Sequence, residues 1–119
     1  MNSARLVLLS LVAGFLVLAS AGLTACGSSG GQMSQSDRDK AVDEAQTVYR
    51  QFIATGQPTG PGPCISESLP GLPDWVADIA HSPRLPLDDQ PQNECQRYRA
   101  GQAHHFVELD ENGTLIRAQ

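Results

Sequence analysis

Three histidines, His81, His104 and His105, and the acid Glu108 are the side chains of this sequence best suited to moving protons. A histidine within hydrogen-bond reach of a carboxylate makes an acid/base pair near neutral pH, so a small hydrolase or metal-dependent enzyme using His81, His104 and Glu108 is one class to weigh. On a strand, His104 shares a face with Glu108 while His105 points the opposite way, so the two histidines cannot hold one metal from there. Other marks of catalysis are missing. The chain has no Gly-x-Ser-x-Gly elbow, no His-Glu-x-x-His helix and no Walker loop, and no cofactor or metal is expected. Ser66-Glu67-Ser68 reads as a turn rather than a nucleophile. Asp110-Glu111-Asn112-Gly113 has too few acids for a calcium loop.

Sulfur chemistry is the stronger theme, and the N-terminus sets its context. The first 25 residues hold 17 apolar side chains and no acid, with Arg5 ahead of an uncharged run from Leu6 to Leu23. This is the pattern of an export signal. The run is just long enough to span a bilayer, so an uncleaved membrane helix competes with a removed peptide, and the residues at its end discriminate. Leu23-Thr24-Ala25-Cys26 resembles the lipobox of bacterial lipoproteins. The resemblance covers only this start of the chain. It implies cleavage before Cys26, lipid on the Cys26 thiol, and attachment to the extracytoplasmic face of the cell membrane. Two or three acyl chains give durable anchoring where one does not. Residues 26–35, rich in Gly, Ser and Gln, read as a flexible tether with a reach of about 15 to 18 Å, and residues 36–119 as one small domain.

With Cys26 given to lipid, Cys64 and Cys95 are left on an oxidising side, and a disulfide is the simplest reading. A free reactive thiol and a metal pair are the alternatives, but neither cysteine lies in a CxxC or has a histidine at ligand spacing. Closing a loop of about 30 residues stabilises a fold by roughly 3 to 4 kcal/mol, which is large beside the few kcal/mol available to so small a domain.

The whole chain has 119 residues with 8 basic and 13 acidic side chains, a formal charge of −5. Removing the signal, with its single Arg5, leaves an acidic domain at −6, which argues against nucleic acid or an anionic lipid surface as partner.

The elements that must position these groups follow from periodicity. Ala41, Val42, Ala45, Val48, Tyr49, Phe52 and Ile53 recur at steps of three and four, with charges opposite, which predicts a long helix capped by Ser36 and ended at Gly56. All eight prolines fall between Pro58 and Pro91, so the stretch around Cys64 cannot form long elements. Within it, Asp74 to Ser82 is either a short strand or two helical turns, and Glu94 to Ala100 a strand or short helix. Asn112-Gly113 between two β-favouring runs predicts a hairpin in which Leu109 pairs with Ile116, Glu108 with Arg117 and Val107 with Ala118. That register sets Val107, Leu109, Ile116 and Ala118 on one apolar face. It leaves Phe106 and Leu115 on the other, with Glu108 and Arg117 as an ion pair within reach of water.

The expected fold is α+β, one long helix laid on a small antiparallel sheet with a C-terminal hairpin and one disulfide. Its order, helix first and strands after, is similar in topology alone to the cystatin and nuclear-transport-factor folds. Three functional classes remain. A binding or accessory module is preferred, contacting an envelope protein, a ligand or a cell-wall component through Trp75, Tyr98 and the proline block. The hydrolase or metal enzyme comes second, and a structural or inhibitory lipoprotein third. A pocket with converging polar groups favours an enzyme, an exposed apolar patch around Trp75 a binder, and neither of these the third class.

Overall fold

A computed structural model describes residues 33–119. The expected export signal, Cys26 and the expected tether of residues 26–35 as far as Gln32 lie outside the described residues, whereas Ser34 and Gln35 belong to the start of the helix. Among the described residues no helix is long and apolar enough to cross a membrane. The fold is α+β, a helix of 20 residues against a four-stranded sheet.

The helix, α1, runs over Gln35–Ala54. Its cap is Ser34 rather than Ser36: the Ser34 hydroxyl accepts the Asp37 N–H, and Asp37 sits favourably in the positive first turn. Met33, just before the cap, packs against the core. Ala41, Ala45 and Tyr49, spaced by four, form the buried line of the predicted stripe, while Ile53 at its end is exposed. Two alanines at the contact let the helix lie close to the sheet. Gly56 follows with φ +75°, the left-handed ending expected of a glycine there.

The strands are β1 (Cys64–Ser66), β2 (Trp75–Ile79), β3 (His105–Leu109) and β4 (Leu115–Ala118), in the sheet order β1-β2-β3-β4. The ambiguous Asp74 to Ser82 stretch is thus a strand. The expected antiparallel sheet is corrected to a mixed one: β1 and β4 pair antiparallel with their neighbours, but β2 and β3 run parallel. Parallel neighbours need a long crossover, and the segment between Ile79 and His105 supplies it through a 3-10 turn at Pro86–Asp89 and a short helix, α2 (Gln96–Arg99). Prolines in that segment prevent the tight hairpin an antiparallel pair would use.

The crossover covers the second face of the sheet. Trp75, Ala77, Ile79, Val107 and Leu109 pack with α1, whereas Val76 and Phe106 pack with Cys95 and Ala103 on the other side. Burial on both faces explains why β2 reads as a nearly unbroken apolar run. Cys64 and Cys95 form the disulfide. Beside it, the Glu67 carboxylate accepts the N–H groups of Gln96 and Arg97, each at 2.8 Å, so α2 is tied to the end of β1 twice.

The hairpin forms with the predicted Val107–Ala118 and Glu108–Arg117 pairs, but Leu109 pairs with Leu115, not Ile116. Asp110 causes the shift. Its Oδ1 accepts the N–H groups of Asn112 and Thr114, so the loop takes three residues and ends at Gly113, with φ +80°. Ile116 is left bulged and 37% exposed, and Leu115 joins the helix-facing core instead of the second face. The Tyr49 hydroxyl donates to the Glu111 carbonyl at 2.8 Å, which lays its ring over Gly113.

A Cβ at Gly113 would lie 2.5 Å from that ring, on top of its left-handed backbone. Gly113→Ala is therefore expected to cost at least about 1 to 3 kcal/mol in chemical denaturation. Cys64→Ala is expected to remove roughly 3 to 4 kcal/mol, since the two half-cystines are 31 residues apart; an unchanged melting curve would contradict a stabilising bond.

Candidate functional site

Strand pairing lines up one residue from each strand on the crossover face: Cys64 opposite Asp78, Asp78 opposite Glu108, and Glu108 opposite Arg117. Two acids therefore stand side by side on a covered surface. Glu108 is 3% exposed and would be untenable there as an unpaired charge. It is held from two sides. Arg117 reaches it from β4, with Nε donating to Oε2 at 2.5 Å and Nη2 to Oε1 at 3.3 Å. Arg84, carried over the sheet by the crossover, donates Nη1 to Oε1 and anchors its other edge on Asp89 at 2.9 and 3.1 Å. These hydrogen bonds hold both guanidiniums more firmly in the charged state.

Asp78 has no such partner. Its Oδ1 is buried without a hydrogen bond. Burial first, and the neighbouring Glu108 charge second, weaken it as an acid and push its pKa up to about 8 against the opposing pull of Arg84 and Arg117. Its surroundings thus favour the protonated form.

The two acids border a cavity of about 150 Å³ that Arg84, Arg117 and Glu94 also line, with Val76, Cys95, Tyr98 and Phe106 as its apolar walls. Tyr98 meets Phe106 edge-on with centroids 5.1 Å apart, and the Arg117 guanidinium lies 4.8 Å over the Phe106 ring. The walls are thus rigid, aromatic on one side and polar on the other. Tyr98, 40% exposed, stands at the mouth.

The sequence-derived candidates are distributed differently. Tyr98 lies at the cavity. Trp75 does not present a surface: it is 3% exposed and stacks on His105 at 4.8 Å within the helix-facing core. His81 Nδ1 bonds the buried Asp88 at 2.7 Å. His104 precedes β3 instead of lying on it, and bonds Asp74 at 2.7 Å, with His105 Nε2 3.8 Å from the same carboxylate. The expectation that the two histidines diverge is corrected by that shared acid, and His104 and Glu108 are not partners. No hydrogen bond or ion pair joins any two of His81, His104 and Glu108 among the described residues. The Glu108–Arg117 pair exists, but its acid is buried rather than bathed in water.

Among the described residues one group of side chains meets at metal-ligand distances, and its atoms are already engaged. Cys64, Cys95 and Glu67 place ligand atoms within 4.8 Å of one another, but the sulfurs are bonded to each other and both Glu67 oxygens accept backbone N–H groups. The Asp110 carboxylate is likewise occupied by its own turn, and Ser66 bonds the Ser68 carbonyl at 2.8 Å in the turn expected of it.

Sequence reasoning passed over Asp78, Arg84 and Asp88. A signal for Asp78 existed: it is the one charged residue inside Trp75-Val76-Ala77-Asp78-Ile79, and an acid within a buried strand calls for a reason. Asp88 is buried, yet N–H groups of Leu85 and His81 and the His81 ring outweigh the desolvation and lower its acidity range. Its hydrogen bond raises that of His81, against some desolvation and with help from Glu111.

These shifts set the pH response. An acid that binds its proton more tightly when folded destabilises the fold as pH climbs from its unfolded value near 3.8 to about 8. His81, also raised, loses its contribution in the same direction once pH passes the ordinary histidine range. Stability is expected to fall between pH 5 and 8 with a slope of up to about 1.4 kcal/mol per unit for the Asp78 proton. Asp78→Asn should flatten most of that slope in melting curves taken across the range, and a slope unaltered by the substitution would show that Asp78 does not titrate there.

No known family, curated protein or solved structure matches the chain, and what the cavity does must be derived from its own residues.

Proposed function

We propose that the protein is exported, fastened through lipid on Cys26 to the extracytoplasmic face of the cell membrane, and acts there as a binding module that takes a small ligand in the cavity beside Asp78. The lipobox-like Leu23-Thr24-Ala25-Cys26 supports the anchor. The Cys64–Cys95 bond supports the compartment, since such bonds persist where thiols are not kept reduced. An acidic domain has no electrostatic attraction for anionic headgroups, so the lipid does the holding. The ligand is free or is carried on an envelope protein or cell-wall component.

The observation that carries the binding reading is a cavity of about 150 Å³ with aromatic walls, bordered by the acid Asp78. Asp78 Oδ1 is the buried side-chain oxygen among the described residues that the fold leaves without a partner, and a cavity that joins aromatic walls to polar groups is the usual form of a small-molecule site. Binding is favoured over hydrolysis because both oxygens of Glu108 are engaged by arginines, Glu94 at the same cavity pairs with Arg99 at 3.5 Å, and the histidines lie elsewhere.

Cys26→Ala is expected to abolish palmitate labelling and move the protein from the membrane to the soluble fraction. Membrane retention without label would refute the anchor. In fragment screening of the mature protein by amide NMR, shifts are expected to gather at Val76, Asp78 and Phe106 and to vanish in Asp78→Leu, which fills the cavity. Shifts scattered away from these strands would refute the site.

A further inference from the structure

We infer that His81, clamped by Asp88, is a pH-operated latch: with both ring nitrogens protonated it fastens the loop between α1 and β1 to the hairpin loop, and loss of one proton releases it. The device is separate from the cavity, which none of His81, Asp88 and Glu111 lines. Asp88 is its fixed side. That buried carboxylate accepts the backbone N–H groups of Leu85 at 2.8 Å and of His81 at 3.2 Å, and has Nδ1 of the His81 ring at 2.7 Å. These hydrogen bonds outweigh its desolvation and keep it ionised. An ionised carboxylate can only accept, so Nδ1 keeps its hydrogen whether the ring is charged or neutral. The proton that comes and goes is therefore the one on Nε2.

The far side of the ring meets acceptors. Glu111 Oε1, from the hairpin loop, is 3.9 Å from Nε2. The Gly60 carbonyl, from the loop between α1 and β1, favours the charged ring by accepting from it. Gly60 lies beside Glu111, since a Cβ there would be 4.0 Å from Oε1, and the same loop rests on the clamp, where a Cβ at Gly62 would lie 2.8 Å from Asp88 Oδ1. The charged groups facing the ring are thus two acids, Asp88 from the 3-10 turn and Glu111 from the hairpin loop, with a backbone oxygen from the third segment. With Nε2 protonated, a cation and a donor stand between these oxygens. Without that proton a nitrogen lone pair meets a carboxylate and a carbonyl, and the ring no longer holds the loop. The hairpin loop stays in place because the Tyr49 hydroxyl holds the Glu111 carbonyl at 2.8 Å, so residues 57–62 are the part that moves. The Asp88 hydrogen bond, and after it the charges of Asp88 and Glu111, outweigh desolvation and hold the proton more firmly than in an ordinary histidine, so release falls on the alkaline side of the normal histidine range.

Nitrogen NMR of the histidine rings and backbone amides, recorded against pH on the full chain in detergent micelles, tests the latch. The neutral His81 ring is expected to carry its proton on Nδ1 and to titrate with a midpoint above that of an ordinary histidine. The amides of Thr59, Gly60 and Glu111 are expected to shift with the same midpoint. Order parameters of Thr59, Gly60 and Gly62 are expected to fall from about 0.85 to below about 0.6 as pH passes it. Glu111→Gln, a change at an exposed side chain, is expected to lower the midpoint and leave the tautomer as it is. His81→Gln is expected to abolish the pH response of the loop, and Asp78→Asn to preserve it. A neutral ring protonated on Nε2, a midpoint at or below the ordinary value, or loop amides that ignore it overturns the latch. So does a loop response that disappears in Asp78→Asn, which would assign it to that acid.

Discussion

A single buried carboxylate organises the far side of this sheet. Glu108 belongs to a central strand, is closed off from water, and is made tenable by two guanidiniums that come from different directions. Arg117 meets it across the hairpin, so the pair discriminates against any slippage of β4 on β3. Arg84 meets it from the crossover, so the same charge draws the proline-rich segment down over the sheet. Removing either partner would leave a charge uncompensated in an apolar setting, which costs far more than the pair contributes beyond a hydrophobic replacement. The row Cys64, Asp78, Glu108 and Arg117 thus binds all four strands to one covering layer through a covalent bond at one end and ion pairs at the other.

What is legible in the residues alone is what depends on short-range periodicity. The stripe of α1 is readable because Ala41, Ala45 and Tyr49 repeat at the helical step, and the hairpin because Asn112-Gly113 is a strong turn signal. The disulfide is legible because setting Cys26 aside as the expected lipid site leaves two cysteines to pair. The details go astray where a side chain competes with the backbone pattern. Ser34 outcompetes Ser36 for the cap, and Asp110 captures two N–H groups, lengthening the turn by one residue and pushing Ile116 outward.

The parallel pairing of β2 and β3 is not legible, because nothing local to either strand states the direction of its neighbour; the length of chain between them does, once both are known to be strands. The site is hidden for the same reason. Glu108 is 24 residues beyond Arg84, and it meets Asp78 and Arg84 only because the crossover brings β3 alongside β2. Tyr98 is reachable from the sequence as an aromatic in a constrained region. Trp75, chosen by the same reasoning, is consumed by the core, since a large ring on a strand buried on both faces has nowhere else to go.

The cystine has a second consequence, beyond stability. Cys95 is both the residue that fastens α2 to β1 and part of the lining of the hollow beside Asp78. Until the two sulfurs join, the segment bearing Tyr98 lacks its covalent hold on the sheet, and the chamber lacks a fixed wall. The recess is thus completed only by oxidation, and a reduced chain carries its parts without holding them in place.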